Sequence, residues 1–176
     1  SGCWPGDLWR SRSSGRLQSP SRRRQRGCAR GTRVNGPSGQ AVRHARVRVR
    51  YAETDKMGVV YHANYLVWFE VGRTDWLRQS GWTYRDMEIA GVSLPVIEAH
   101  CQYRHPARYD DEVDIAAQAV PMTPVRLRFN YRLTRASDGV LLAEGYTVHA
   151  AVDPSGKPCR LPDGIRRLME HLASNS

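Results

Sequence analysis

No stretch of the chain reaches the roughly 18 consecutive apolar residues that a membrane-crossing helix needs, so membrane insertion is not expected. Cysteine is sparse and scattered. Cys3, Cys28, Cys101 and Cys159 form no CxxC pair, and no histidine stands at ligand spacing from any of them. That argues against a structural zinc site or a dense disulfide framework and leaves reduced thiols in a cytoplasmic protein as the expectation. No motif calls for a cofactor. Acidic residues are all but missing from positions 1–40, where Asp7 faces nine arginines. This segment carries +8 of the formal +10, and the rest of the chain is nearly balanced. The basic excess is therefore local and does not license reading the whole chain as a nucleic-acid binder. A length of 176 residues fits one domain with a tail.

Residues 1–42 are read as that tail: rich in Arg, Ser, Gly and Pro, without periodicity, and too poor in apolar residues to repay the entropy of ordering. Three other readings fit the same composition. Arg- and Ser-rich ends resemble organellar transit peptides, although Pro and Gly here interrupt the amphipathic helix such signals use. The run Ser21-Arg22-Arg23-Arg24-Gln25-Arg26 has the charge to neutralise phosphates. A chain that does not open on Met also admits an overextended gene start.

The pattern changes near Ala45. Val47, Val49 and Tyr51 alternate with Arg46, Arg48 and Arg50, as in a half-exposed strand. Ala63–Ser80 then predicts a long helix with Tyr65, Phe69, Gly72 and Trp76 on one face. A glycine inside that face costs about 1 kcal/mol against Ala, which predicts a close approach of the helix to a sheet. Gly81 closes the helix and Tyr84–Ala90 predicts a short one. Four strands follow, over 93–103, 111–120, 125–133 and 140–152, with Pro95 marking a sheet edge and Ser137-Asp138-Gly139 a hairpin turn. Ile165–Leu172 predicts a last helix. One strand, one long helix and four consecutive antiparallel strands make an α+β domain over residues 43–176, its sheet covering the helix.

The most informative stretch is Tyr51-Ala-Glu-Thr-Asp55-Lys-Met-Gly58-Val-Val-Tyr61-His62-Ala-Asn-Tyr65. It resembles the signature of the 4-hydroxybenzoyl-CoA thioesterase family of hot-dog-fold acyl-CoA thioesterases, and most nearly its Tol-Pal-associated branch. Asp55, Gly58, Val60, Tyr61, His62 and Tyr65 agree in register, with further matches at Glu70, Arg73, Pro106–Asp111 and Ala143–Thr147. Glu53 stands where the branch usually carries Asp. The resemblance covers about residues 45–165. It implies a hot-dog fold, self-association as a homodimer or homotetramer with active sites at the subunit interface, and metal-free hydrolysis of an acyl-CoA. It maps Asp55 onto the catalytic carboxylate and His62 onto the helix-start residue whose backbone N–H meets the thioester carbonyl.

Those residue types suit the chemistry. A carboxylate entering a helix can activate water or attack the carbonyl itself, and Asp55 is open to either role. Gly58 allows a sharp turn near a ligand. N–H groups around His62–Asn64 at the positive end of the helix dipole can hold an oxyanion. Gly58, Val59, Tyr61 and Tyr65 are the candidate acyl-contacting residues, the two tyrosines equally readable as packing. Arg108 and Arg128 are candidates for CoA phosphates, although an outward arginine stripe on a strand also reads as a solvated face. Glu70 and Arg73 form a helix ion pair in this reading. Asp110, Asp111, Glu112 and Asp114 alternate faces and read as solvated rather than as metal ligands. Tyr84, Met87 and Val92 are further pocket candidates, and His149 is given no role. Against acyl-CoA hydrolysis stand two alternatives: a hydroxyacyl-thioester dehydratase or hydratase on the same fold, and a non-catalytic acyl-CoA-sensing or nucleic-acid-binding module using the tail. The first wants an acid–base pair that is not found, and no nucleic-acid partner is expected.

Overall fold

The computed structural model describes residues 42–174. The reading of residues 1–42 as a tail therefore falls, but for Val42, outside the described residues. Five strands form one antiparallel sheet: β1 (Arg43–Arg48), β2 (Val96–Tyr103), β3 (Glu112–Thr123), β4 (Arg126–Arg135) and β5 (Leu141–Ala150), in the order β1-β3-β4-β5-β2. Helix α1 (Asn64–Gln79) lies against it, α2 (Tyr84–Ile89) follows, and α3 (Asp163–Ser174) ends the described chain. This is the α+β arrangement expected, a sheet curled over one long helix.

Alternation decides what the sheet presents to that helix. In β3, Val113, Ile115, Ala117 and Ala119 are buried, and in β4 Leu127, Phe129, Tyr131 and Leu133 are buried, with the intervening residues facing outward. Tyr65, Phe69, Gly72 and Trp76 of α1 are all buried against this face. Phe69 stacks on Tyr131 with centroids 4.3 Å apart, and Trp76 meets Phe129 edge-on at 5.6 Å. Each such ring, withdrawn fully from water, stabilises the fold by about 1.5–3 kcal/mol. At Gly72 the two layers approach closely: a Cβ there would lie 2.6 Å from Ile115 Cγ2.

Two boundaries depart most from expectation. Strand β1 ends at Arg48, so the alternation expected to run on to Tyr51 stops short: Val49 is buried beyond the strand, and Tyr51 is exposed in a 3-10 turn that follows it. The strand predicted from Ser93 begins only at Val96, and Ser93 makes a single bridge to Val152. Pro95 has no N–H to give the ladder; its carbonyl still accepts from the Ala150 amide at 3.3 Å, and the paired register with β5 starts at Val96. Among the described residues β2 pairs with β5 on one side only and is a sheet edge, with Val96 and Ile97 about half exposed. Among the described residues no helix is long and apolar enough to cross a membrane.

Gly72→Val drives a branched side chain into Ile115 and destabilises the fold by about 2–3 kcal/mol; urea unfolding beside wild type measures it.

Candidate active site

The Asp55 segment is held by Glu53. After a single 3-10 turn (Tyr51–Glu53), the Glu53 side chain is buried and accepts from the Arg50 amide at 2.7 Å, the Arg50 guanidinium at 3.1 Å and Trp68 Nε1 at 3.4 Å. Burial alone raises its carboxyl; these hydrogen bonds outweigh burial and hold it below the usual carboxylate range. The Glu53 carbonyl accepts from the Tyr61 amide and from Asn64 Nδ2, each at 2.9 Å. This ties the turn to the start of α1.

Between those anchors the chain makes a tight loop. Thr54 bridges to Val60, the Asp55 amide donates to the Val59 carbonyl at 2.9 Å, and the Gly58 amide donates to the Asp55 carbonyl at 3.0 Å. Gly58 adopts φ +71°, a left-handed conformation that a side chain would oppose. Asp55 is half-buried, and its Oδ1 accepts from the Met57 amide at 2.8 Å. Its second oxygen accepts no hydrogen bond among the described residues. The carboxylate is thus oriented by one oxygen and presented by the other.

Helix α1 opens without a side-chain cap. Its first amides turn back in tight bonds, Asn64 to the Tyr61 carbonyl, Tyr65 to His62 and Leu66 to Ala63, at 3.0–3.3 Å. The N–H groups of His62 and Ala63 donate to nothing among the described residues. Here are two open donors at the positive end of a 16-residue helix. Around them the rings of Tyr61 and His62 pack 4.3 Å apart, and the buried Tyr65 hydroxyl accepts from the Ala107 amide at 3.0 Å. The Ala107 carbonyl in turn accepts from the Val60 amide at 2.9 Å. That pair brings Arg108, next in the chain, beside the motif loop.

Arg128 is not brought there. It faces outward from β4, where its Nε donates to Asn130 Oδ1 at 2.8 Å and its guanidinium lies 3.8 Å over the Tyr146 ring, on the side of the sheet away from α1. The acidic residues near β3 are likewise engaged: Asp110, Glu112 and Asp114 by Arg46 and Arg48, and Asp111 by Arg135. Met87 and Val92 belong to the core.

A cavity of about 540 Å³ runs along α1, with Leu66, Val67, Glu70 and Arg73 on the helix side and Leu94, Pro95, Val96 and Ala99 toward the sheet edge. Tyr84 also lines it. Its size is that of small-ligand pockets in general. Arg73 is buried, 3.9 Å from the exposed Glu70 carboxylate and 5.0 Å over the Tyr84 ring, so the pair is a loose one. Tyr131, Thr147 and His149 form a buried polar chain on the same cavity. The Tyr131 hydroxyl meets Thr147 Oγ1 at 2.9 Å, Thr147 Oγ1 meets His149 Nε2 at 2.8 Å, and His149 Nδ1 meets the Leu94 carbonyl at 3.0 Å. A carbonyl only accepts, so Nδ1 carries the proton and Nε2 accepts from Thr147. Sequence reasoning gave His149 no role. Its place two residues after Thr147, on the inward side of β5, was the available signal.

A family model for the thioesterase-like superfamily matches residues 49–169. The chain belongs to that superfamily. The acyl-CoA thioester hydrolase YbgC of Escherichia coli is 36% identical over 120 residues, which cover 68% of this chain and 89% of YbgC. Among solved structures, the hypothetical protein TT1821 from Thermus thermophilus is 40% identical with a TM-score of 0.68, over 73% of this chain and 98% of that one. A DHNA-CoA thioesterase from Staphylococcus aureus is 30% identical with a TM-score of 0.72, over 76% and 91%. The chain shares the fold of those solved structures, its five-stranded sheet packed around a helix, and the hot-dog architecture follows from the family match and the structural match together.

Burial lowers His149 from its ordinary 6.5 to about 4. The unfolded chain therefore binds more protons between those values, so stability tied to the neutral ring is whole above pH 6.5 and lost as pH falls toward 4. The expected loss from this residue is on the order of 3 kcal/mol, read as the difference between wild type and His149→Gln in urea titrations across that window.

Proposed function

We propose that the chain hydrolyses the thioester of an acyl-CoA to the free acid and CoA. The observation that carries this reading is the pairing, within one motif, of a carboxylate presented by one oxygen with two open N–H donors at an uncapped helix start. The thioester carbonyl lies at the His62 and Ala63 N–H groups, which stabilise the negative charge that develops on its oxygen. Asp55 acts on the carbonyl carbon by one of two routes. As general base it takes a proton from attacking water. As nucleophile it forms a mixed anhydride that water then cleaves. Both expel CoA thiolate, which is protonated on release, and neither route passes through a metal or cofactor.

The acyl group occupies the cavity along α1 and is approached past Gly58, Val59 and Tyr61, while Tyr65, buried against Trp68 and Tyr103, packs behind that approach. Arg108, next in the chain to the loop-bound Ala107, is assigned to a CoA phosphate. The outward placement of Arg128 removes the support for assigning it to the same CoA molecule. The motif register supports membership of the Tol-Pal-associated branch. The DHNA-CoA thioesterase at 30% identity supports including aryl-CoAs in any substrate screen. Residues 43–176 are the catalytic domain in this reading, residues 1–42 take no part in turnover, and the protein works in the cytoplasm.

The bare edge of β2 supports self-association. An unpaired edge carrying exposed Val96 and Ile97 is a template for a second copy, and natural sheets seldom leave one open. Two such edges joined would place both cavities beside the seam, and the homodimer, alone or doubled into a tetramer, is the proposed working form.

Asp55→Asn keeps the shape of the side chain and removes its charge; kcat/KM for thiol release falls about 10²–10⁴-fold. Equal turnover by the variant would sink the mechanism. A single turnover in ¹⁸O-water separates the two routes, since only the nucleophilic one leaves label in Asp55. Ile97→Glu places a charge on the β2 edge, and light scattering then reads the mass of a single chain where wild type reads a multiple of it.

A further inference from the structure

We infer that Tyr103 is a positioning residue for the thioester site: its hydroxyl fixes the His62–Ala63 peptide and strengthens the Ala63 N–H as a donor to the developing oxyanion. The inference rests on the thioesterase reading above and adds to it a residue that the motif does not contain.

Tyr103 is the last residue of β2 and pairs with Ala143 of β5, so its backbone is set by the sheet. Its ring stands edge-on to two others, Tyr65 at 5.1 Å and His62 at 6.4 Å. Tyr65 is itself anchored through its hydroxyl to the Ala107 amide. From this fixed ring the Tyr103 hydroxyl donates to the His62 carbonyl at 3.1 Å. Among the described residues the one backbone donor to that carbonyl is the Tyr65 amide at 3.3 Å, so the Tyr103 hydroxyl supplies the shorter of the two bonds holding it.

The His62 carbonyl and the Ala63 N–H are the two ends of one conjugated amide. A donor at the oxygen draws electron density from the nitrogen and makes its N–H a stronger donor, the cooperative polarisation seen along hydrogen-bond chains. The Ala63 N–H has no acceptor among the described residues and is one of the two groups assigned to the oxyanion. Charge on that oxygen appears only in the transition state, so strengthening this donor acts on kcat more than on ground-state binding. Tyr103 is not among the residues lining the cavity along α1.

Tyr103→Phe keeps the ring and removes the donor. Thiol release is measured for wild type, Tyr103→Phe and Asp55→Asn with one acyl-CoA that wild type turns over, alongside thermal unfolding and ¹H–¹⁵N spectra. In Tyr103→Phe, kcat is expected to fall about 10-fold, less than the roughly 10²–10³ lost when an oxyanion donor is removed outright. KM stays within about twofold, the separation that marks an interaction made in the transition state. The melting temperature is retained, and the Ala63 amide nitrogen moves upfield while that of Gly72 does not. An unchanged kcat, an unmoved Ala63 resonance, or a loss of kcat that merely follows a loss of folded protein overturns the role of Tyr103. Wild type that releases no CoA from any acyl-CoA, or Asp55→Asn that releases it as fast, overturns the thioesterase reading and the inference built on it.

Discussion

The buried carboxylate of Glu53 is the point from which the candidate site is built. Its side chain gathers the Arg50 amide and the Trp68 indole, while its backbone carbonyl gathers the Tyr61 amide and the Asn64 side chain. Four segments therefore meet at one residue: the exit of β1, the 3-10 turn, the return limb of the motif loop and the first turns of α1. Hydrogen bonds to an ionised group are worth about 1.5–3 kcal/mol each, and a buried carboxylate left without them would be costly. Neither the orientation of Asp55 nor the openness of the helix start would survive if these limbs moved independently.

That arrangement needs a rigid floor, and the helix–sheet contact provides it. Phe69 and Trp76 are wholly buried against β4, and the missing side chain at Gly72 lets α1 settle onto Ile115. Close packing of this kind has little slack, so the helix cannot slide along its axis without opening voids. The start of α1 is thus fixed from both ends, by its apolar face on the sheet and by Glu53 at its first turn. The cavity borders the polar edge of the same interface, where Tyr131, Thr147 and His149 satisfy one another.

Much of the architecture was readable in one dimension because it repeats in one dimension. The 3.6-residue spacing of Tyr65, Phe69, Gly72 and Trp76 and the alternation of Val113 to Ala119 and Leu127 to Leu133 each announce a buried face. The loop around Asp55 and Gly58 was readable as a motif, since the hydrogen bonds that turn it back on itself close within the stretch from Tyr51 to Tyr61. What escaped was set by contacts across the chain. Tyr103 meets His62 from 41 residues away, and His149 meets Leu94 from 55. No periodicity encodes such a pair. The outward direction of Arg128 was correctly given by alternation, but whether that face or its opposite meets a ligand depends on where the helix lies. The late start of β2 belongs to the same class: Pro95 signalled an edge, and only the partner strand shows where pairing begins.

The uncapped start of α1 also bears on how this chain spends its stability. A serine, threonine or aspartate in the capping position commonly stabilises a helix by about 1 kcal/mol. Ala63 forgoes that gain, and the amides a cap would take, those of Tyr65 and Leu66, turn back onto the His62 and Ala63 carbonyls instead. The His62 and Ala63 N–H groups just ahead of them have no partner among the described residues, and a ligand whose oxygen settles there adds hydrogen bonds that the folded chain alone does not make. Melting temperature should then rise with ligand occupancy even where no bond is broken, so that inhibitors and slow substrates alike reveal themselves as stabilisers of the fold.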